Sequence, residues 1–194
     1  MQYTGLLASN VENALLYTPS RSGGGMPKGL KQTSSLITIS ASVTETAPGA
    51  FTTAIIPLQL NPLDNEVFVI YGIDLDVQAP TLVPGLTTLS TMSVSSTPRT
   101  TVGGIANNNV LAAARIETQD LVTSSVTNEF SSDSVPSTQL EYLAVLATND
   151  FSINILGSLA NATARTGSVR LFGVRARADS SIYAALVQSE LLSA

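Results

Sequence analysis

Hydrophobic and polar residues change places with a period of two along most of the chain. Ile37, Ile39, Ala41 and Val43 alternate with Thr38, Ser40, Ser42 and Thr44. Successive side chains of an extended backbone point to opposite faces, so this pattern predicts a strand with one face buried, over Ser35–Glu45. Pro48 and Gly49 turn the chain, and Phe51–Gln59 reads as a second strand, interrupted by Pro57. After a loop over Asn61–Asn65, Glu66–Gln78 has the strongest strand pattern in the sequence. Val67, Val69, Tyr71, Ile73, Leu75 and Val77 are expected on one of its faces, and Phe68, Ile70, Gly72, Asp74 and Asp76 on the other. Thr87–Ser96 is a polar strand carrying Leu89, Met92 and Val94.

The second half is less regular. Gly103 and Gly104 mark a turn, and Asn107–Asn109 either cap a helix over Val110–Ile116 or lead into a strand, Val110–Thr118. Leu121–Asn128 is a weaker strand pattern, followed by a serine-rich loop around Pro136. Gln139–Ala147, Phe151–Leu156 and Ser168–Ala178 complete the strands, and Thr148–Asp150 reads as a tight turn joining two of them as a hairpin. Asp179 is placed to cap a short helix with an apolar stripe of Ile182, Tyr183, Leu186, Val187 and Leu191, Glu190 lying on the same side. Residues 1–34 differ: Gly5–Leu16 has helical spacing through Leu7, Val11, Ala14 and Leu15, but Pro19, Gly23, Gly24, Gly25, Pro27 and Gly29 forbid a regular element after it. The expectation is an all-β, antiparallel sandwich of about eight strands over residues 35–178. An extended N-terminal arm (1–34) precedes it and a short C-terminal helix (179–194) follows.

Composition narrows the chemistry. The chain has 194 residues, enough for one substantial core, with 44% hydrophobic and only 12% charged residues. The 24 Ser and 22 Thr supply the missing polarity without charge. There is no His and no Cys, which excludes imidazole or thiolate metal sites, Cys nucleophiles, His acid–base pairs and disulfides; no cofactor is expected. The nine Lys and Arg are scattered, so direct nucleic-acid binding is not expected. No apolar run approaches the ~18 residues of a membrane span, and no basic-then-apolar leader is read at the start.

Three groups of side chains stand out. Asp74 and Asp76, roughly 7 Å apart on one strand face, could ligate calcium or act as acid and base on a glycoside. Yet the chain has no Trp and 5% aromatics, and no Asp-rich loop follows. Arg175 and Arg177 repeat the i, i+2 spacing on the last strand, so cross-strand ion pairs of Asp74 and Asp76 with Arg175 and Arg177 are the structural expectation, worth only ~0.2–1 kcal/mol each if exposed. Phe68 and Ile70 make their strand apolar on both faces, which requires a cover: the chain's own loop or terminal helix, or a subunit interface. Together with the arm, this gives a candidate interface of Leu6, Leu7, Leu15, Leu16, Phe68, Ile70, Leu186 and Leu191, with a neighbouring subunit expected to hold the arm. The triplet Asn161-Ala162-Thr163 matches a glycosylation acceptor, which Ser/Thr-rich chains produce by chance.

The order of elements over Ser35–Ala178 resembles a single jelly roll, as in the shell (coat) proteins of many icosahedral viruses. That resemblance implies that the third and eighth strands are neighbours. It also implies a subunit that assembles with copies of itself and with other virion proteins, resident in the virion and assembled in the host cytoplasm. The arm of such proteins is strongly basic where it wraps RNA; here residues 1–31 hold three cations and one acid. Two rivals to a self-assembling structural protein are a sandwich binding module recognising a carbohydrate or receptor, as on a phage tail or shell decoration, and an enzyme using Asp74 and Asp76.

Overall fold

A computed structural model of the chain describes residues 26–121, 123–131 and 141–193. Among these residues ten strands and one α-helix follow in order, with a short 3-10 helix (Pro62–Asp64) before the fourth strand: β1 (Leu30–Gln32), β2 (Ile37–Thr44), β3 (Thr52–Pro57), β4 (Glu66–Val77), β5 (Thr87–Ser95), β6 (Val110–Asp120), β7 (Ser125–Ser131), β8 (Ala144–Leu146), β9 (Asp150–Gly157), β10 (Thr166–Ala178) and α1 (Ser180–Leu192). They build two antiparallel sheets packed as a sandwich. In the first, β1 and β2 share one edge of β10, and β4 and β8 follow; the second runs β3-β9-β5-β6-β7. Setting aside β1 and β7, the remaining strands in chain order lie first-eighth-third-sixth in one sheet and second-seventh-fourth-fifth in the other. This is a jelly-roll-like order, with β4 beside β10 as expected.

The middle of the chain departs from the expected pattern in places and decides between the two readings of Val110–Ile116. β8 and β9 do not form a hairpin: β8 pairs with β4 and β9 with β3 and β5, so Thr148–Asp150 carries the chain from one sheet to the other. Val110–Ile116 is strand rather than helix, because β5 and β7 pair with β6 on both sides and that pairing overrides the helix propensity of its alanines. The weak pattern at Leu121–Asn128 is realised further on as β7, an added edge strand. Of the strand expected at Gln139–Ala147, only Ala144–Leu146 is paired, and its first two residues lie outside the described ones.

Inward-facing residues of both sheets form the main core. Ile37, Ile39, Ala41 and Val43 of β2 meet Val169 and Leu171 of β10; Met92, Val94, Phe151, Ile153 and Ile155 come from the opposite sheet. β4 departs from simple alternation. Phe172 of β10 lies opposite Gly72, but Gly173 lies opposite Ile70, which leaves Tyr71 as an extra residue. Such a bulge reverses which side chains face inward. Before it Phe68 and Ile70 point between the sheets; after it Ile73, Leu75 and Val77 do. Val67 and Val69 therefore face outward, where they form a second cluster with Val174, Ala176 and Ala178, covered by Ile182, Tyr183, Leu186 and Val187 of α1.

Where strands leave a sheet, their backbone N–H groups lose ladder partners and need others. Two buried glutamates supply them. Glu45 accepts from Gly157 N (2.6 Å) and Arg165 N (2.8 Å), joining the end of β9 to the approach to β10. Glu190 of α1 accepts from Ala147 N (2.8 Å) and Thr148 N (2.9 Å), where the chain passes from β8 towards β9. The helix is thus fastened by a carboxylate as well as by apolar contact.

Candidate interaction surfaces

The bulge decides where the charged residues fall. On the outer face of the first sheet, Asp74 lies opposite Arg170 and Asp76 opposite Ser168, with Ser40 and Ser42 of β2 alongside. These side chains line an open groove of about 490 Å³. The expected ion pairs of Asp74 and Asp76 with Arg175 and Arg177 are not formed, because the register sets Arg175 opposite Phe68 and Arg177 opposite Glu66. Arg175 instead donates to Glu66 Oε2 (3.1 Å) and to the carbonyls of Gln59 (2.9 Å) and Leu58 (2.8 Å). Arg177 pairs with Asp64 Oδ1 at 2.6 Å. The two strands were identified correctly and the register was not. The acids at the start of β4 had to meet the arginines at the end of its antiparallel partner, a signal that Asp64 and Glu66 carried in the sequence.

The apolar candidates divide. Phe68 and Ile70 are 1% and 0% exposed within the chain itself, so they are core residues and no interface. Leu186 packs into the cluster beneath α1, while Leu191 is 66% exposed. Leu6, Leu7, Leu15 and Leu16 lie outside the described residues. Asn161 is buried, its side chain accepting from Thr81 N (3.0 Å) and donating to Leu89 O (3.2 Å), so a glycan there would break two bonds that hold the Thr81 loop.

The outer face of the second sheet holds what the sequence pattern did not reveal. The segment 96–109 between β5 and β6 folds back over it, so that Ser93, Ser95, Ser152 and Asn154 are wholly buried although they point away from the core. They bond one another: Asn154 Nδ2 donates to Ser95 Oγ (2.9 Å), the Ser95 and Ser152 hydroxyls are 2.9 Å apart, and Ser152 Oγ donates to Thr97 O (3.0 Å). Asn109 Nδ2 ties the base of the segment to Thr97 Oγ1 at 2.8 Å. Beside this cover a cleft of about 510 Å³ is lined by Val102, Ile105, Ala113, Phe130 and Leu156, with Arg115 at its edge. Ile105 and Phe130 remain 76% and 61% exposed.

The site chemistry is sparse. Among the described residues no three His, Cys, Asp or Glu side chains gather as a metal site, and no helix is long and apolar enough to cross a membrane. Burial pushes the Tyr71 phenol above its usual pKa, and its hydroxyl faces the thioether of Met26. The described surfaces present apolar patches and hydroxyl or amide groups. No family model matches the chain, and no curated protein matches it in sequence.

Proposed function

We propose that this chain is the repeating subunit of a self-assembling protein shell, a viral capsid or virion surface layer, and that its role is structural rather than catalytic. The observation that carries this is a jelly-roll-like sandwich that leaves large apolar side chains uncovered around its periphery. Ile55 on β3, Leu63 before β4, Ile105 and Phe130 at the cleft and Leu159 in the last loop are each more than half exposed. A fold of this kind serves lectins and other binding proteins as well as shells. Several separate patches favour several neighbours over a single ligand pocket. Closed symmetric assemblies need only weak individual contacts, because many act together. With no His and no Cys in the sequence, the commonest acid–base and nucleophilic side chains are missing, which supports a non-catalytic role.

Size-exclusion chromatography with light scattering, followed by negative-stain imaging of the concentrated protein, tests this. Species well above 20.1 kDa that grow with concentration into uniform particles or sheets are expected. A monomer at every accessible concentration overturns the proposal and favours the binding module, for which the cleft at Ile105 and Phe130 is the natural site.

A further inference from the structure

We propose that β7 pairs edge to edge with β7 of a second copy, antiparallel about a two-fold axis at Asn128, so that the five-stranded sheet continues into its neighbour. The proposal rests on the reading of a chain that assembles with copies of itself, and it names one of the contacts. The second sheet ends in two edges, β3 and β7, and they differ. Leu58 N donates to Asn149 O, so by alternation Thr53, Ile55 and Pro57 turn their backbone groups away from β9. Pro57 has no N–H to offer, which blunts that edge. β7 contains no proline. Leu121 N donates to Ser124 O, while Asp120 N donates to Leu86 O on the opposite side. Alternate residues of β6 therefore serve its two neighbours, and Val126, Asn128 and Phe130 of β7 bond inward to Gln119, Glu117 and Arg115. Ser125, Thr127 and Glu129 turn their N–H and C=O groups to the free edge, where no strand among the described residues meets them.

A free edge accepts a further strand, and the side chains of β7 select a copy of itself. Asn128 is the midpoint of the seven-residue strand, so a two-fold centred there leaves none of its residues unpaired. That register sets Phe130 opposite Val126 of the second copy, twice by symmetry. These two are the apolar residues of β7, 61% and 41% exposed, and they lie on one face. They meet at non-hydrogen-bonded positions, where cross-strand side chains come closest. Thr127 and Glu129 exchange their free backbone groups across the axis, and each Glu129 faces a threonine. Centred on Glu129 instead, two carboxylates would stand opposite each other. Centred on Val126 or Thr127, Phe130 runs past the start of the partner strand at Ser125, and centred on Phe130 most of the strand has no partner. One register joins the apolar side chains and keeps the acids apart.

The sequence contains no Cys, so a single introduced thiol forms a protein disulfide only with a second copy. In the full-length protein, Asn128→Cys oxidised with copper–phenanthroline is expected to give a dimer-sized band on a non-reducing gel. A disulfide needs its Cα atoms within about 7 Å, so the yield should exceed about tenfold that of Ser125→Cys, which sits on the same strand but far from its own copy. Thr127→Pro removes a free N–H without touching the ladder to β6. Added to Asn128→Cys, it should lower the yield to that of Ser125→Cys. Equal yields from Asn128→Cys and Ser125→Cys, or a yield unmoved by Thr127→Pro, overturn the pairing. Uniform particles of the unaltered chain together with no Asn128→Cys cross-link also overturn it and leave the assembly reading standing. A cross-linked dimer with no larger species upholds the pairing and removes the shell.

Discussion

The two halves of β4 are a few residues apart and follow opposite rules. From Val67 to Ile70 the strand is buried on both sides, with Phe68 and Ile70 between the sheets and Val67 and Val69 under α1. From Ile73 to Val77 only one side is buried, and Asp74 and Asp76 stand exposed on the other. The bulge at Tyr71 separates them. The comparison shows that an apolar stretch on both faces of a strand need not mean an interface. Here it marks the place where one sheet packs inward on its partner and outward on a terminal helix.

The largest test removes the room the bulge needs. A Cβ on Gly173 would lie 2.5 Å from Val69 O and 2.7 Å from Phe68 Cζ. Main chain cannot swing aside as a flexible side chain can, so β4 and β10 must separate where the register changes. Gly173→Ala is expected to cost about 3 kcal/mol, a fall of roughly 6–12 °C in Tm. Gly104→Ala, with nothing within 4 Å of its Cβ, is the matched control and should move Tm little. Equal effects from both would show that the bulge is not rigidly held.

Next in size is the fastening of the helix. Glu190→Gln leaves one amide oxygen for two N–H groups and turns an NH₂ towards the other, so Ala147 N or Thr148 N is left without an acceptor. The expected loss is about 2 kcal/mol. Hydrogen exchange should rise in α1 and at Ala147–Thr148 well before β2 or β9, since only the helix-covered half of β4 is affected. Uniform acceleration throughout would mean that the helix is not a separable cover.

This contrast also accounts for what the sequence made legible. Period-two alternation located β2, β3, β4, β5, β9 and β10 because each has a buried face and few interruptions. It assigned the wrong face to Phe68 and Ile70, because a bulge is fixed by the partner's register and by the space at Gly173, neither of which appears within the strand's own pattern. The same missing register misdirected Arg175 and Arg177. The cover over Ser93, Ser95, Ser152 and Asn154 was hidden for another reason: polar residues on the outer positions of a strand read as solvent-exposed. Only the folded loop turns them into a buried hydrogen-bonded layer. Of the apolar residues singled out, Leu191 is exposed, and the exposed Ile105 and Phe130 were missed because they fall in the least regular stretch.

The smallest expected effect concerns the open half of β4. Asp74 and Asp76 are exposed, and no ion pair among the described residues includes them, even though Arg170 stands across from Asp74 in the register. Exposed charges so placed are screened by solvent and salt, so D74N/D76N should change stability by less than about 0.5 kcal/mol. Arg175→Ala should cost more, because Arg175 holds the carbonyls of Leu58 and Gln59 as well as Glu66. Thermal melts at low and high salt check both. A destabilisation of the double Asn variant that vanishes in high salt would mean that Arg170 does pair with these carboxylates in solution. Unchanged melts combined with altered elution on a sizing column would instead make the open half of the strand a surface that meets other molecules, as the helix-covered half cannot.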